Sequence, residues 1–153
     1  MAGFGVAVVS ERAAPSQRSG YGLFVPVPAR WNDLDIFGHL NNAVFYELFD
    51  TAILRVLAST GTISRDAPLA ALVVDSGATF HREVLFESAI SVGLRVAHLG
   101  RTSVGYQLGV FVEDAQSSAV DGHVTHVFVD RVSRRPVEIP KIARDGFQAM
   151  VVT

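Results

Sequence analysis

The chain contains no cysteine, which excludes disulfides, thiolate metal sites and a cysteine nucleophile at once. It also has almost no lysine: of 13 basic residues, Lys141 is the only one that is not arginine. Arginine suits forked contacts to phosphate, although coding bias produces the same pattern. Neither sign of charge is in excess. A net charge of -2 gives no reason to expect nucleic acid or an anionic membrane as a partner. No apolar run is long enough to span a bilayer. The apolar start, Met1 to Ser10, lacks the basic beginning of a secretory signal, so a cytoplasmic protein is expected. Three catalytic signatures are missing too: the Gly-x-Ser-x-Gly elbow, a Gly-rich phosphate loop and a dinucleotide fingerprint. Their absence argues against α/β-hydrolase, NTPase and Rossmann readings.

What remains is a chain of 153 residues, 49% hydrophobic and 18% charged, enough for one domain with a real core. Residues 1–20 read as a loose lead-in and 21–153 as the single domain. Tyr21 to Asn32 reads as a strand that Pro26 and Pro28 place at a sheet edge or make irregular at its start. Ala43 to Ala58 has apolar residues at helical spacing around most of its circumference. Only Glu47, Thr51 and Arg55 mark a narrow wet stripe, and Gly61 follows as a stop. Four strands come next: Leu69 to Phe80, Ile90 to Ala97, Val104 to Glu113 and Ala119 to Val132. Turn residues at 99–102 and 114–118 let the long strands pair as antiparallel hairpins. Lys141 to Met150 reads as a short closing helix. A sheet of five to six strands can bury one such helix only by curling around it, which gives an α+β domain.

The chemistry concentrates in Arg30-Trp-Asn-Asp33-Leu-Asp35-Ile-Phe-Gly38-His39-Leu-Asn41-Asn42-Ala-Val-Phe-Tyr46. Two carboxylates, a glycine, a histidine and two asparagines stand at the mouth of the apolar helix, where backbone amides and the helix dipole favour a developing negative charge. An Asp-x-Asp before a helix is also an ordinary cap or turn. Asp33, Asp35 and His39 together would offer oxygen and nitrogen ligands to a metal, but no clear fourth ligand exists, so no metal is expected.

This stretch closely resembles the signature of hotdog-fold acyl-CoA thioesterases of the 4-hydroxybenzoyl-CoA thioesterase-like family, Asp-x-Asp-x-x-Gly-His-Val-Asn-Asn, with Leu40 in place of Val. Phe80-His-Arg-Glu-Val-Leu-Phe86, Gly100-Arg-Thr-Ser103 and Arg135-Pro-Val-Glu-Ile-Pro140 extend the likeness over about residues 21–143. The resemblance implies a helix wrapped by an antiparallel sheet, and a homodimer or homotetramer with a joint sheet and active sites at the subunit interface. It implies an acyl-CoA substrate, or an acyl-carrier protein in place of CoA, and no cofactor.

In that family pattern Asp35 matches the catalytic carboxylate, acting as nucleophile or as general base. The Asn42 amide matches the group that polarises the thioester carbonyl. Gly38 permits the close turn and His39 tunes or orients. Asn41, Tyr46, Phe49 and Arg82 are the expected substrate contacts, with Arg101, Thr102 and Ser103 at a turn that meets CoA. Asp33 is expected to serve structure. A hotdog hydratase or dehydratase, and a non-catalytic acyl-CoA or carrier-protein binding module, remain the alternatives, and lipid or aromatic-acid metabolism is the expected setting.

Overall fold

A computed structural model describes residues 13–151. Strand β1 (Leu23–Pro26) leads through a 3₁₀ turn (Trp31–Asp33) into helix α1 (Val44–Ser59). Strands β2 (Leu69–Phe80), β3 (Ile90–Leu99), β4 (Ser103–Val112) and β5 (Val120–Asp130) follow, then helix α2 (Lys141–Gln148). All pairings are antiparallel, in the order β1-β3-β4-β5-β2, so β1 and β2 are the edges. The five-stranded sheet curls around α1 in the hotdog arrangement. Among the described residues no helix is long and apolar enough to cross a membrane.

The pattern of α1 explains its place. Val44, Phe45, Leu48, Phe49, Ala52, Ile53 and Leu57 recur at spacings of three and four, and all are buried. The sheet meets them with Val104, Tyr106, Leu108 and Val110, alternate residues of β4 that all point inward. Full burial of each large side chain contributes about 1.5–3 kcal/mol. Space for Phe49 comes from Gly122 on β5, where a Cβ would lie 2.3 Å from the Phe49 ring. The helix stops at Gly61, whose φ of +66° a side chain would disfavour.

Several boundaries differ from expectation. The first strand keeps only four of its expected twelve residues. Pro26 has no N–H for the ladder, Val27 makes one last bond to Ile90, and Pro28 turns the chain away. The strand expected to reach Val132 ends at Asp130, whose Oδ1 accepts the amides of Val132 and Ser133 and closes a turn. Helix α2 ends at Gln148, and Met150 then accepts the Val96 amide at 2.9 Å, continuing the sheet edge beyond β1. The exposed stripe of α1 is wider than Glu47, Thr51 and Arg55, taking in Tyr46, Asp50 and Leu54 as well.

The lead-in is not loose between residues 16 and 20. The Ser16 amide donates to Asp121, the Arg18 amide to Gln116, and the Arg18 guanidinium stacks over Phe24 and Phe111 at 4.7 and 5.3 Å. Phe111 lies on the outward side of β4, yet this cover buries it completely. Residues 1–12 of the expected lead-in lie outside the described residues.

Candidate active site

The segment from Arg30 to Asn42 forms a strap across one end of the sheet. Its anchor is Asp33, only 3% exposed, which accepts the Arg30 amide at 2.7 Å and the Arg30 guanidinium at 2.8 and 3.1 Å. The same guanidinium reaches Glu47 on α1 at 2.6 Å, pinning strap to helix. Burial would raise the Asp33 carboxyl, but the hydrogen bonds and charge of Arg30 outweigh it and hold the group below the usual carboxylate range. Its ionised form is therefore favoured by the fold. The resulting stability is present above the unfolded carboxylate value near 3.9 and disappears as pH falls through the lower folded value. Asp33→Asn should cost about 1–3 kcal/mol at pH 7. In urea titrations the gap between native protein and variant should close on acidification below about pH 4; a gap independent of pH would count against this anchor.

Asp35 closes the next turn. Its Oδ1 accepts the amides of Phe37 at 2.8 Å and His39 at 3.2 Å, while its own amide donates to the His39 carbonyl at 2.8 Å. Gly38 completes the turn at φ +79°, a conformation that would strain most other residues. Oδ2 of Asp35 takes no hydrogen bond among the described residues. His39 turns the other way, with Nε2 3.2 Å from Glu83. The Leu40 amide donates to the Val84 carbonyl, so the strap runs beside the segment that follows β2.

At the helix entrance the amides are almost all committed. That of Asn41 donates to the Asp33 carbonyl, that of Ala43 to the Asn41 side chain at 3.0 Å, and that of Val44 to the Asn41 carbonyl. Asn41 thus braces the turn that leads into α1, whose N-cap position is Ala43 with no side-chain cap of its own. The Asn42 amide alone of this group has no partner among the described residues, and it stands at the positive end of the helix.

Asp35, His39 and Asn42 line one cleft of about 290 Å³, with Phe45, Phe80 and residues 81–84 as its other walls. The Phe45 and Phe80 rings meet edge to face at 5.6 Å. Arg82 lines the cleft and donates to the Ser117 carbonyl. Tyr46 does not line it, being 41% exposed on the outer side of α1. Phe49, with no exposed surface, lies inside the core and does not line this cleft. The aromatic of α1 that does face the cleft is Phe45. Phe80 and Glu83 were visible only as part of a matching stretch, without a role.

Arg101, Thr102 and Ser103 stand elsewhere. Ser103 pairs with Val127, which pairs with Leu72, whereas the cleft lies where Val110, Val120 and Phe80 align. Eight residues of β2 separate the two levels, about 26 Å at the usual rise per residue. Within one chain this turn and Asp35 do not meet. Among the described residues no three His, Asp or Glu side chains gather to hold a metal.

A family profile described as the thioesterase-like superfamily matches residues 29–149. The PA5185 protein from Pseudomonas aeruginosa is 39% identical in its crystal structure, over 92% of this chain and 99% of that one, with a TM-score of 0.88. A thioesterase from Thermus thermophilus, crystallised with coenzyme A and zinc, is 28% identical over 84% and 99%, with a TM-score of 0.67. A 1,4-dihydroxy-2-naphthoyl-CoA thioesterase from Synechocystis shares the fold at 13% identity, over 82% of this chain and 94% of that one, with a TM-score of 0.73. No curated protein matches the sequence significantly.

Proposed function

The chain belongs to the thioesterase-like superfamily, and from that premise we propose that it hydrolyses an acyl-CoA thioester to a free acid and CoA, with Asp35 as the reacting carboxylate. The observation that carries this reading is the pairing of two uncommitted groups on one cleft: Oδ2 of Asp35 and the amide of Asn42. A thioester carbonyl accepting the Asn42 N–H would have its developing oxyanion at the start of α1, where the dipole favours it. Asp35 then has two routes. It attacks the carbonyl carbon, expels CoA as thiolate and forms a mixed anhydride that water cleaves, or it takes a proton from the water that attacks. Gly38 and His39 hold the turn that aims it. Asn41 fixes the helix start beside the thioester, and Arg82 borders the cleft.

The expected contacts at Arg101, Thr102 and Ser103 would come from a second copy. Strand β2 is an open edge whose Leu72, Val73 and Val74 are exposed. Antiparallel pairing of two such edges about a two-fold axis sets the partner's β3–β4 turn at this chain's Asp35 end. Arg101, Thr102 and Ser103 of that turn would then receive CoA phosphate or pantetheine. Val74→Lys, which puts a charge on that edge, should convert a dimer to monomer in sedimentation and lower turnover with it. A native protein that sediments as a monomer would overturn the shared-site arrangement.

The direct test of function is free-thiol release from a panel of aromatic, short, branched and long acyl-CoAs, with an acyl-carrier thioester alongside. Turnover of any member supports hydrolysis, and the preferred member defines the acyl pocket. Tight acyl-CoA binding without turnover would favour the binding module instead.

A further inference from the structure

A cavity larger than the Asp35 cleft lies elsewhere among the described residues. A groove of about 630 Å³ lies between β1, the second half of α1 and the end of α2. Leu23, Val25, Val56, Leu94 and Met150 give it apolar walls, and among the described residues Arg55 is the only charged one that lines it. Both hydroxyls at its α1 end are already used, Ser59 donating to the Val56 carbonyl and Thr60 to the Leu57 carbonyl.

Arg55 sets the polarity of the groove. Its Nη1 donates to the Pro26 carbonyl at 2.6 Å, which fixes the guanidinium near the end of β1. No carboxylate pairs with it among the described residues. From Val25 back to Gly22 the groove follows the chain for about 10 Å. At its far side the last carbonyls of α1 present the negative end of the helix dipole, which repels an anion from Thr60 and leaves Arg55 as its seat. A volume of this size falls within the range of small-molecule pockets, and the mix of apolar walls with one convergent cation is their usual composition.

We propose that this groove binds a linear alkyl carboxylate, its head on the Arg55 guanidinium and its chain laid along β1 toward Met150. The inference stands on the groove alone and does not depend on the hydrolysis reading. Charge and shape select the class together: a neutral alkane leaves Arg55 unanswered, and a compact anion leaves the apolar walls uncovered.

Met150 supplies a local reporter, because the chain has only two methionines. Full-length protein labelled at the methionine methyls would be titrated with decanoate and with decanol, in the native form and in Arg55→Gln, Gly22→Phe and Asp35→Asn variants. Gly22 lines the groove, and a side chain there would begin in open space, with no atom within 4 Å of its Cβ, so phenylalanine meets no clash at its root. Decanoate should move the Met150 methyl resonance saturably. Arg55→Gln should weaken decanoate about tenfold or more while sparing decanol. Gly22→Phe should weaken both, and Asp35→Asn should leave both unchanged. Binding that leaves the Met150 methyl unmoved, or that survives both groove variants, would overturn the proposal. So would a shift in sedimentation on Arg55→Gln with no loss of decanoate, which would mark the groove as a contact between copies.

Discussion

Asp35→Asn is expected to lower kcat for acyl-CoA hydrolysis by about 100-fold or more while changing KM little, the scale of a lost acid–base or nucleophilic group. The substitution is informative because it separates charge from geometry. Oδ1 of Asp35 accepts the Phe37 and His39 amides, and an asparagine oxygen can accept the same two bonds. The turn, the Gly38 conformation and the start of α1 should therefore survive, so the thermal midpoint should stay close to native. What goes is the negative charge and the nucleophilic or basic oxygen facing the cleft. Equal turnover by both proteins would remove Asp35 from the chemistry. If activity falls as expected, a single turnover of the native protein in oxygen-18 water tests the covalent route: label found in the Asp35 carboxyl means a mixed anhydride opened at the Asp35 carbon, whereas label found only in the acid product arises both from activated water and from an anhydride opened at the acyl carbon.

Phe49→Ala should cost about 3–5 kcal/mol of stability, the largest loss expected from any single truncation of α1. Its ring is wholly buried and fills the space left by Gly122, so removing it leaves a void that β5 cannot close from a rigid sheet. Urea denaturation with an unchanged m-value would measure it. The number also judges a functional idea. A residue lining an acyl tunnel would change KM and substrate preference with little effect on folding, so a loss below about 1 kcal/mol would return Phe49 to the substrate. A second substitution checks the cause. Gly122→Ala alone should destabilise by overpacking against Phe49, yet in the Phe49→Ala background it should recover part of the loss by filling the void.

The fold was legible where one periodicity ran unbroken. Helix α1 lies where its apolar spacing placed it, because propensity, burial and pattern agree there, and β2 spans its Leu-to-Phe run although its apolar middle is exposed at the sheet edge. The end of β1 was not, since two prolines announce an edge without saying how many residues remain paired to it. Phe111 was not either. Alternation puts it outside the core, and only the tertiary return of Arg18, Tyr21 and Phe24 across the sheet covers it.

The strap is the local part of the site, and its turn chemistry is written in consecutive residues from Asp33 to Asn42. The choice between Phe45 and Tyr46 is not local. Neighbours on a helix point about 100° apart, and which one meets the cleft depends on how the sheet wraps the helix. The distance of Arg101 from Asp35 follows from strand register, which no short motif carries.

The two sheet edges described above are unequal, and the inequality limits growth. Strand β1 offers four residues, one of them a proline, with Met150 and Val151 laid beside its end, whereas β2 offers twelve residues. A sheet with one open margin can accept a single copy of itself and then has no free margin left. Pairing of two copies through β2 would therefore leave no long strand edge free among the described residues for a third copy to extend the sheet.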